Sequence, residues 1–99
     1  MALLSCVIQT FADRDTEALF HLKGSRRIPS TIQRVASRKL ALVHAVYELR
    51  QLSVPPGNRL EALKGKRAGQ HSIRINDQWR ICFVWKGRDA YDVEIDDYH

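Results

Sequence analysis

The residues of this 99-residue chain that could do chemistry gather in its second half. Arg80 lies in Trp79-Arg80-Ile81-Cys82-Phe83-Val84-Trp85, a period-two run that reads as a strand. Trp79, Ile81, Phe83 and Trp85 share one face of it, and Arg80, Cys82 and Val84 the other. An isolated guanidinium among such neighbours is costly to bury. It must either meet a carboxylate inside the protein or face a concave site for an anionic ligand. Upstream lies a basic, glycine-punctuated loop, Leu63 to Gly69, with Lys64, Lys66 and Arg67; Arg74 follows it, and the chain ends in Asp97-Tyr98-His99. These groups are the set needed to cut RNA without a metal. The ribose 2′-hydroxyl attacks the adjacent phosphate, a base takes its proton, an acid protonates the leaving 5′-oxygen, and cations stabilise the phosphate. His99 can act as base or acid. Arg80 can hold phosphate oxygens in a planar fork. Lys64, Lys66, Arg67 and Arg74 can add charge along an RNA backbone. Tyr98 can stack a base or donate through its hydroxyl, and Asp97 can orient His99 or take part in proton transfer.

Other chemistries lack their residues. There is no phosphate-binding glycine loop, no Cys-x-x-Cys, no His-Glu-x-x-His and no serine elbow. Cys6 and Cys82 are far apart without metal-ligand spacing, and His21, His44 and His71 are scattered, so no metal or other cofactor is expected. Cys82 reads as a small buried hydrophobe, and His44 and His71 as satisfied or exposed. From Arg59 to Arg88 there are eight basic residues against two acidic ones, whereas Asp89 to the end holds five acidic residues and no lysine or arginine. So dense a basic segment favours a polyanion, most commonly nucleic acid. The acidic tail either lines the same site or pairs with nearby arginines.

A chain of this length is expected to form one domain over residues 1–99. No apolar run approaches the roughly 20 residues that span a bilayer, so no membrane is expected. Met-Ala-Leu-Leu-Ser-Cys is loosely similar to a lipoprotein cleavage site but lacks a basic start; residues 1–6 read as a short extension. The chain reads as cytoplasmic and reduced. Val7 to Phe11 alternates as a first strand, with Val7, Gln9 and Phe11 on one side. Asp13 caps a brief helix running to about His21. A long helix starts at Ser30, with Gln33 completing a capping box, and carries Ile32, Val35, Ala36, Leu40, Val43 and Val46 on one stripe until about Leu52. Leu60 to Ala62 is a candidate short strand. A hairpin turning at Asn76-Asp77 follows. Tyr91, Val93 and Ile95 then alternate with Asp92, Glu94 and Asp96 in a last strand. The natural architecture is α+β: a mostly antiparallel sheet of four to five strands with two N-terminal helices packed on one face.

Leu-Lys-Gly-Lys-Arg-Ala-Gly (63–69) followed by Ser-Ile-Arg-Ile-Asn-Asp-Gln-Trp-Arg-Ile (72–81) resembles the RelE/HigB family of toxins of type II toxin–antitoxin systems, the plasmid-maintenance killer proteins. The terminal Asp97-Tyr98-His99 is similar to the ending of HigB-type members, and the likeness runs from about Val7 onward. The resemblance implies a RelE-like fold and a ribosome-dependent messenger-RNA endonuclease that inhibits translation. It also implies a HigA-like helix-turn-helix antitoxin as partner, in a complex able to bind operator DNA. Functional residues are expected at the C-terminus and on the arginine-bearing strand. One departure matters: several such sequences carry His-Pro before Leu-Lys-Gly, where this chain has Glu61-Ala62. Glu61 therefore either takes one proton-transfer role or leaves it to His99 and the C-terminal acids. Two other readings keep the charge pattern without catalysis: an RNA-binding module or co-repressor of a DNA-binding antitoxin, and a purely structural interaction domain.

Overall fold

The computed structural model describes residues 7–97. Helix α1, Arg14–Phe20, starts where expected, because the Asp13 carboxylate accepts from the Thr16 amide (2.7 Å) and hydroxyl (3.0 Å). The Thr16 hydroxyl oxygen also accepts from the Ile95 amide at 2.9 Å, tying the helix start to the last strand. Helix α2, Ser30–Ala45, buries Ile32, Ala36, Leu40 and Val43 along one stripe, as its periodicity requires.

Both ends of α2 differ from the sequence reading. Ser30 and Gln33 form no capping box; the Gln33 amide donates to the carbonyls of Ser25 (2.8 Å) and Ile28 (2.7 Å), satisfying the incoming loop instead. The helix also stops at Ala45 and not near Leu52. Gln51 Oε1 accepts from the amides of Tyr47 (2.6 Å) and Glu48 (2.9 Å), which turns the chain out of the helix. A true capping box of Glu48 and Gln51 then starts the 3₁₀ turn Leu49–Ser53, which drives Leu52 fully into the core.

The sheet has four antiparallel strands in the order β1 (Glu61–Ala62), β2 (Gln70–Arg74), β3 (Trp79–Lys86) and β4 (Asp89–Asp97). Between β2 and β3 the Asn76 side chain accepts from the amides of Gln78 and Trp79, both at 2.8 Å, and so closes the expected turn. Val7 to Phe11 runs parallel to β4 but forms only two bridges, Ile8 with Ala90 and Phe11 with Val93. Its expected alternation fails: Val7 and Ile8 are both buried, and Gln9 and Thr10 both exposed. The gap between the two bridges lies beside a bulge in β4. The pairing shifts between Cys82 and Val84, where Asp92 takes a left-handed φ of 53°. Tyr91 is thereby separated from Val93 and Ile95, with which it was expected to share a face. It pairs opposite Val84, while Ala90, Val93 and Ile95 are fully buried.

The helices and one face of the sheet enclose a single core, with Leu40 and Val43 from α2 and Ile73, Ile81, Phe83 and Ile95 from the strands all fully buried. Leu40→Ala is expected to destabilise the domain by about 2–5 kcal/mol, because the rigid sheet beneath cannot collapse into the cavity. Urea unfolding followed by tryptophan fluorescence measures it.

Candidate active site on the sheet face opposite the helices

Residues opposite one another in an antiparallel ladder share a face, so the register assigns this surface directly. Glu61, Ser72, Cys82 and Glu94 form one row across all four strands. Arg74, Arg80 and Asp96 form the next row. Ser72 and Cys82 are small and fully buried, and they leave room for a side chain to lie flat on the sheet.

Arg67 takes that position. It comes from the 3₁₀ turn Gly65–Arg67 in the basic loop. That loop doubles back through left-handed glycines, Gly65 at φ 65° and Gly69 at φ 95°, conformations a β-carbon would strain. Arg67 Nη1 donates to Gln70 Oε1 (2.7 Å), and Nη2 to Glu94 Oε1 (3.2 Å) and Asp96 Oδ2 (3.1 Å). Burial opposes the Arg67 charge, but the Cys82 sulfur once deprotonated, the Glu94 hydrogen bond and the Asp96 and Glu94 charges raise its pKa above the ordinary value. Burial in turn pushes the Cys82 thiol up against the pull of Arg80 and Arg67, leaving it a neutral thiol.

Arg80 faces the same carboxylate, with its Nη2 3.8 Å from Asp96 Oδ2 and its side chain 16% exposed. Arg74 pairs with the exposed Asp77 and also lines a groove of about 610 Å³ between α2 and the Pro55–Asn58 segment. There Lys39 Nζ donates to the Arg74 carbonyl at 2.6 Å; burial, then Arg38 and Arg74, lower the Lys39 pKa. Lys64 and Lys66 are exposed on the loop. Glu61 is exposed on β1, two strand spacings from the β3 backbone, or about 10 Å.

The sequence-level residues are thus only partly brought together. Arg67, Arg74, Arg80 and Glu61 share the face. Asp97 pairs opposite Trp79, hence on the other face, where its Oδ2 accepts from Gln78 Nε2 at 3.0 Å. Asp96 and Glu94, expected only as part of an acidic tail that lines the site or pairs with nearby arginines, are the carboxylates that meet the arginines. Tyr98 and His99 lie outside the described residues. Among the described histidines none is on this face. His44 Nδ1 accepts from the Ile8 amide at 3.3 Å, His71 stacks on the core residue Phe83, and His21 lies against Phe20 at the end of α1. Among the described residues no group of His, Cys, Asp and Glu could hold a metal ion, and no helix is long and apolar enough to cross a membrane.

An antiparallel four-stranded sheet with two N-terminal helices is the α+β architecture of a RelE-like toxin. Residues 9–99 match the family of HigB-like toxins, described as RelE-like toxins of the type II toxin–antitoxin system HigB, and the chain belongs to that family. It is similar to the toxin HigB-1 of Vibrio cholerae, 40% identical over 74 residues covering 75% of this chain and 78% of that one. It is also similar to the endoribonuclease HigB of Proteus vulgaris, 30% identical over 94 residues covering 94% of this chain and all of that one. An uncharacterized protein of Haemophilus influenzae is 33% identical over 70 residues, 71% of this chain and 69% of its own length.

Proposed function

We propose that this chain is an endoribonuclease toxin that cleaves messenger RNA on the ribosome and is restrained by a helix-turn-helix antitoxin. The observation that carries the reading is the gathering of Arg67 and Arg80 on one sheet face, above a floor of small buried side chains. Two guanidiniums there suit a phosphodiester, whose charge grows as the attacking and leaving oxygens both bind phosphorus. The name of the Proteus vulgaris relative supports the same chemistry.

In this mechanism the ribose 2′-oxygen attacks phosphorus and gives up its proton to a base. The bond to the 5′-oxygen breaks, and an acid protonates that oxygen, leaving a 2′,3′-cyclic phosphate and a 5′-hydroxyl. Arg80 binds the phosphate oxygens as their charge develops. His99 supplies proton transfer, and Glu61, on the Arg80 face about 10 Å from β3, takes the second proton-transfer role. Tyr98 stacks on a base, and Asp97, which accepts from Gln78 on the other face, stays outside the proton transfer. Lys64, Lys66 and Arg74 follow the RNA backbone, so binding weakens with salt.

The decisive experiment is single-turnover cleavage of messenger RNA on programmed ribosomes, alongside growth of cells producing the chain with and without its antitoxin. Cleavage with growth arrest supports the reading. Tight ribosome binding without cleavage rejects it in favour of an RNA-binding or co-repressor role. In the same system Lys64→Ala with Lys66→Ala is expected to weaken binding more than chemistry, since loop lysines supply charge without fixed geometry. Each lysine lost from a single-stranded RNA contact should lower the slope of log affinity against log salt by about 0.7. An unchanged slope would mean that this loop does not touch RNA.

A further inference from the structure

We propose that Asp96, supported by Glu94, is a positioning residue that sets Arg67 and Arg80 side by side as one phosphate clamp. The inference deepens the endoribonuclease reading and rests on it. One oxygen, Asp96 Oδ2, lies 3.1 Å from Arg67 Nη2 and 3.8 Å from Arg80 Nη2. Two guanidiniums so close repel one another unless an anion lies between them. Asp96 supplies that anion from the sheet itself.

The two contacts differ in kind. Arg67 is hydrogen-bonded to three acceptors, Gln70, Glu94 and Asp96, which fix the plane of its guanidinium. Arg67 is therefore the anchor of the basic loop, and Lys64 and Lys66 its exposed charges. Arg80 stands beyond hydrogen-bond distance of Asp96 and meets it through charge. It can turn toward a substrate phosphate without breaking a bond to Asp96. The bulge at Asp92 is what places Glu94 and Asp96 on this face at all.

A positioning carboxylate and a simple structural one differ in their kinetics. Asp96→Asn keeps the shape but removes the charge, adding one net positive charge to a surface that binds a polyanion. Half-saturation by programmed ribosomes should therefore stay within about threefold or improve, while the single-turnover rate at saturation falls about 10–100-fold through misplaced guanidiniums. Asp96→Glu keeps the charge but moves the carboxylate by one methylene, and it should also lose rate, by about tenfold, with binding unchanged. It serves as the second variant if Asp96→Asn fails to fold in thermal melting. Glu94→Gln leaves Asp96 in place and should cost less than either. In an Arg80→Ala background, Asp96→Asn should cost less on the logarithm of the rate than it does alone, because one of the two guanidiniums it positions is gone and only Arg67 is left to misplace.

The intact protein, assayed on the same ribosomes, separates the two claims. If it cleaves and both Asp96 variants match it, the positioning role is overturned and the enzyme stands. If Asp96→Asn is faster than the intact protein, the carboxylate competes with phosphate, and the proposal is again overturned. If the intact protein does not cleave, the enzyme reading falls and takes this inference with it.

Discussion

Arg80→Ala is expected to lower single-turnover cleavage on the ribosome by about 10²–10³-fold, the cost of removing one preorganised donor to developing charge. Growth arrest should disappear with it. The fold should persist, because the substitution does not strand a buried charge. Asp96 keeps its hydrogen bond from Arg67, and Arg67 keeps Glu94 and Gln70. Breaking a fully buried pair costs about 3–5 kcal/mol because the remaining charge lacks compensation. Here Asp96 remains compensated and part-exposed, so a clearly smaller loss is expected. Thermal melting alongside the cleavage assay decides the matter. A collapse of the melting transition would make Arg80 a structural ion-pair member and remove it from the clamp.

His99→Gln, and deletion of His99 alone, should each remove about 10²–10⁴-fold of cleavage while ribosome binding survives, the usual contribution of a general acid or base. Glutamine keeps hydrogen bonding but does not titrate near neutral pH, so the pair of variants isolates proton transfer from packing. The expectation is sharpened by the described histidines, which stand away from the arginine face in structural contacts. Undiminished cleavage by both variants would exclude His99 and pass its role to Glu61, since Asp97 lies on the other face of the sheet. Glu61→Gln, run in parallel, would then carry the full loss. If His99 and Glu61 share the work, each single variant loses rate, and the limb of the pH profile belonging to the substituted group flattens.

Local pattern determined much of this protein. Asp13 with Thr16 starts α1, the stripe from Ile32 to Val43 makes α2 amphipathic, and alternation with a turn at Asn76 makes the β2–β3 hairpin. Each depends on residues within one or two turns, and such periodicities are written in the sequence. The inward-facing Arg80, the basic loop and the acidic last strand were equally legible, as was the need for a carboxylate or an anion beside Arg80.

Tertiary structure decided which carboxylate. Counted back from the turn where Lys86 pairs with Asp89, an unbroken ladder would set Ile95 opposite Arg80 and Glu94 opposite the core residue Ile81. The extra residue at Asp92 shifts the register by one, so Ile95 enters the core and Asp96 meets the arginines. The same bulge lies beside the gap in the N-terminal segment's pairing and turns Tyr91 away from Val93. Gln51, reaching back to the amides of Tyr47 and Glu48, likewise ended a helix whose apolar spacing ran on toward Leu52. The strict alternation of Tyr91, Val93 and Ile95 gives no sign of a bulge. It forms because burying Ala90, Val93 and Ile95 together against the helices, while Glu94 and Asp96 reach Arg67, favours the shifted register over a continuous one.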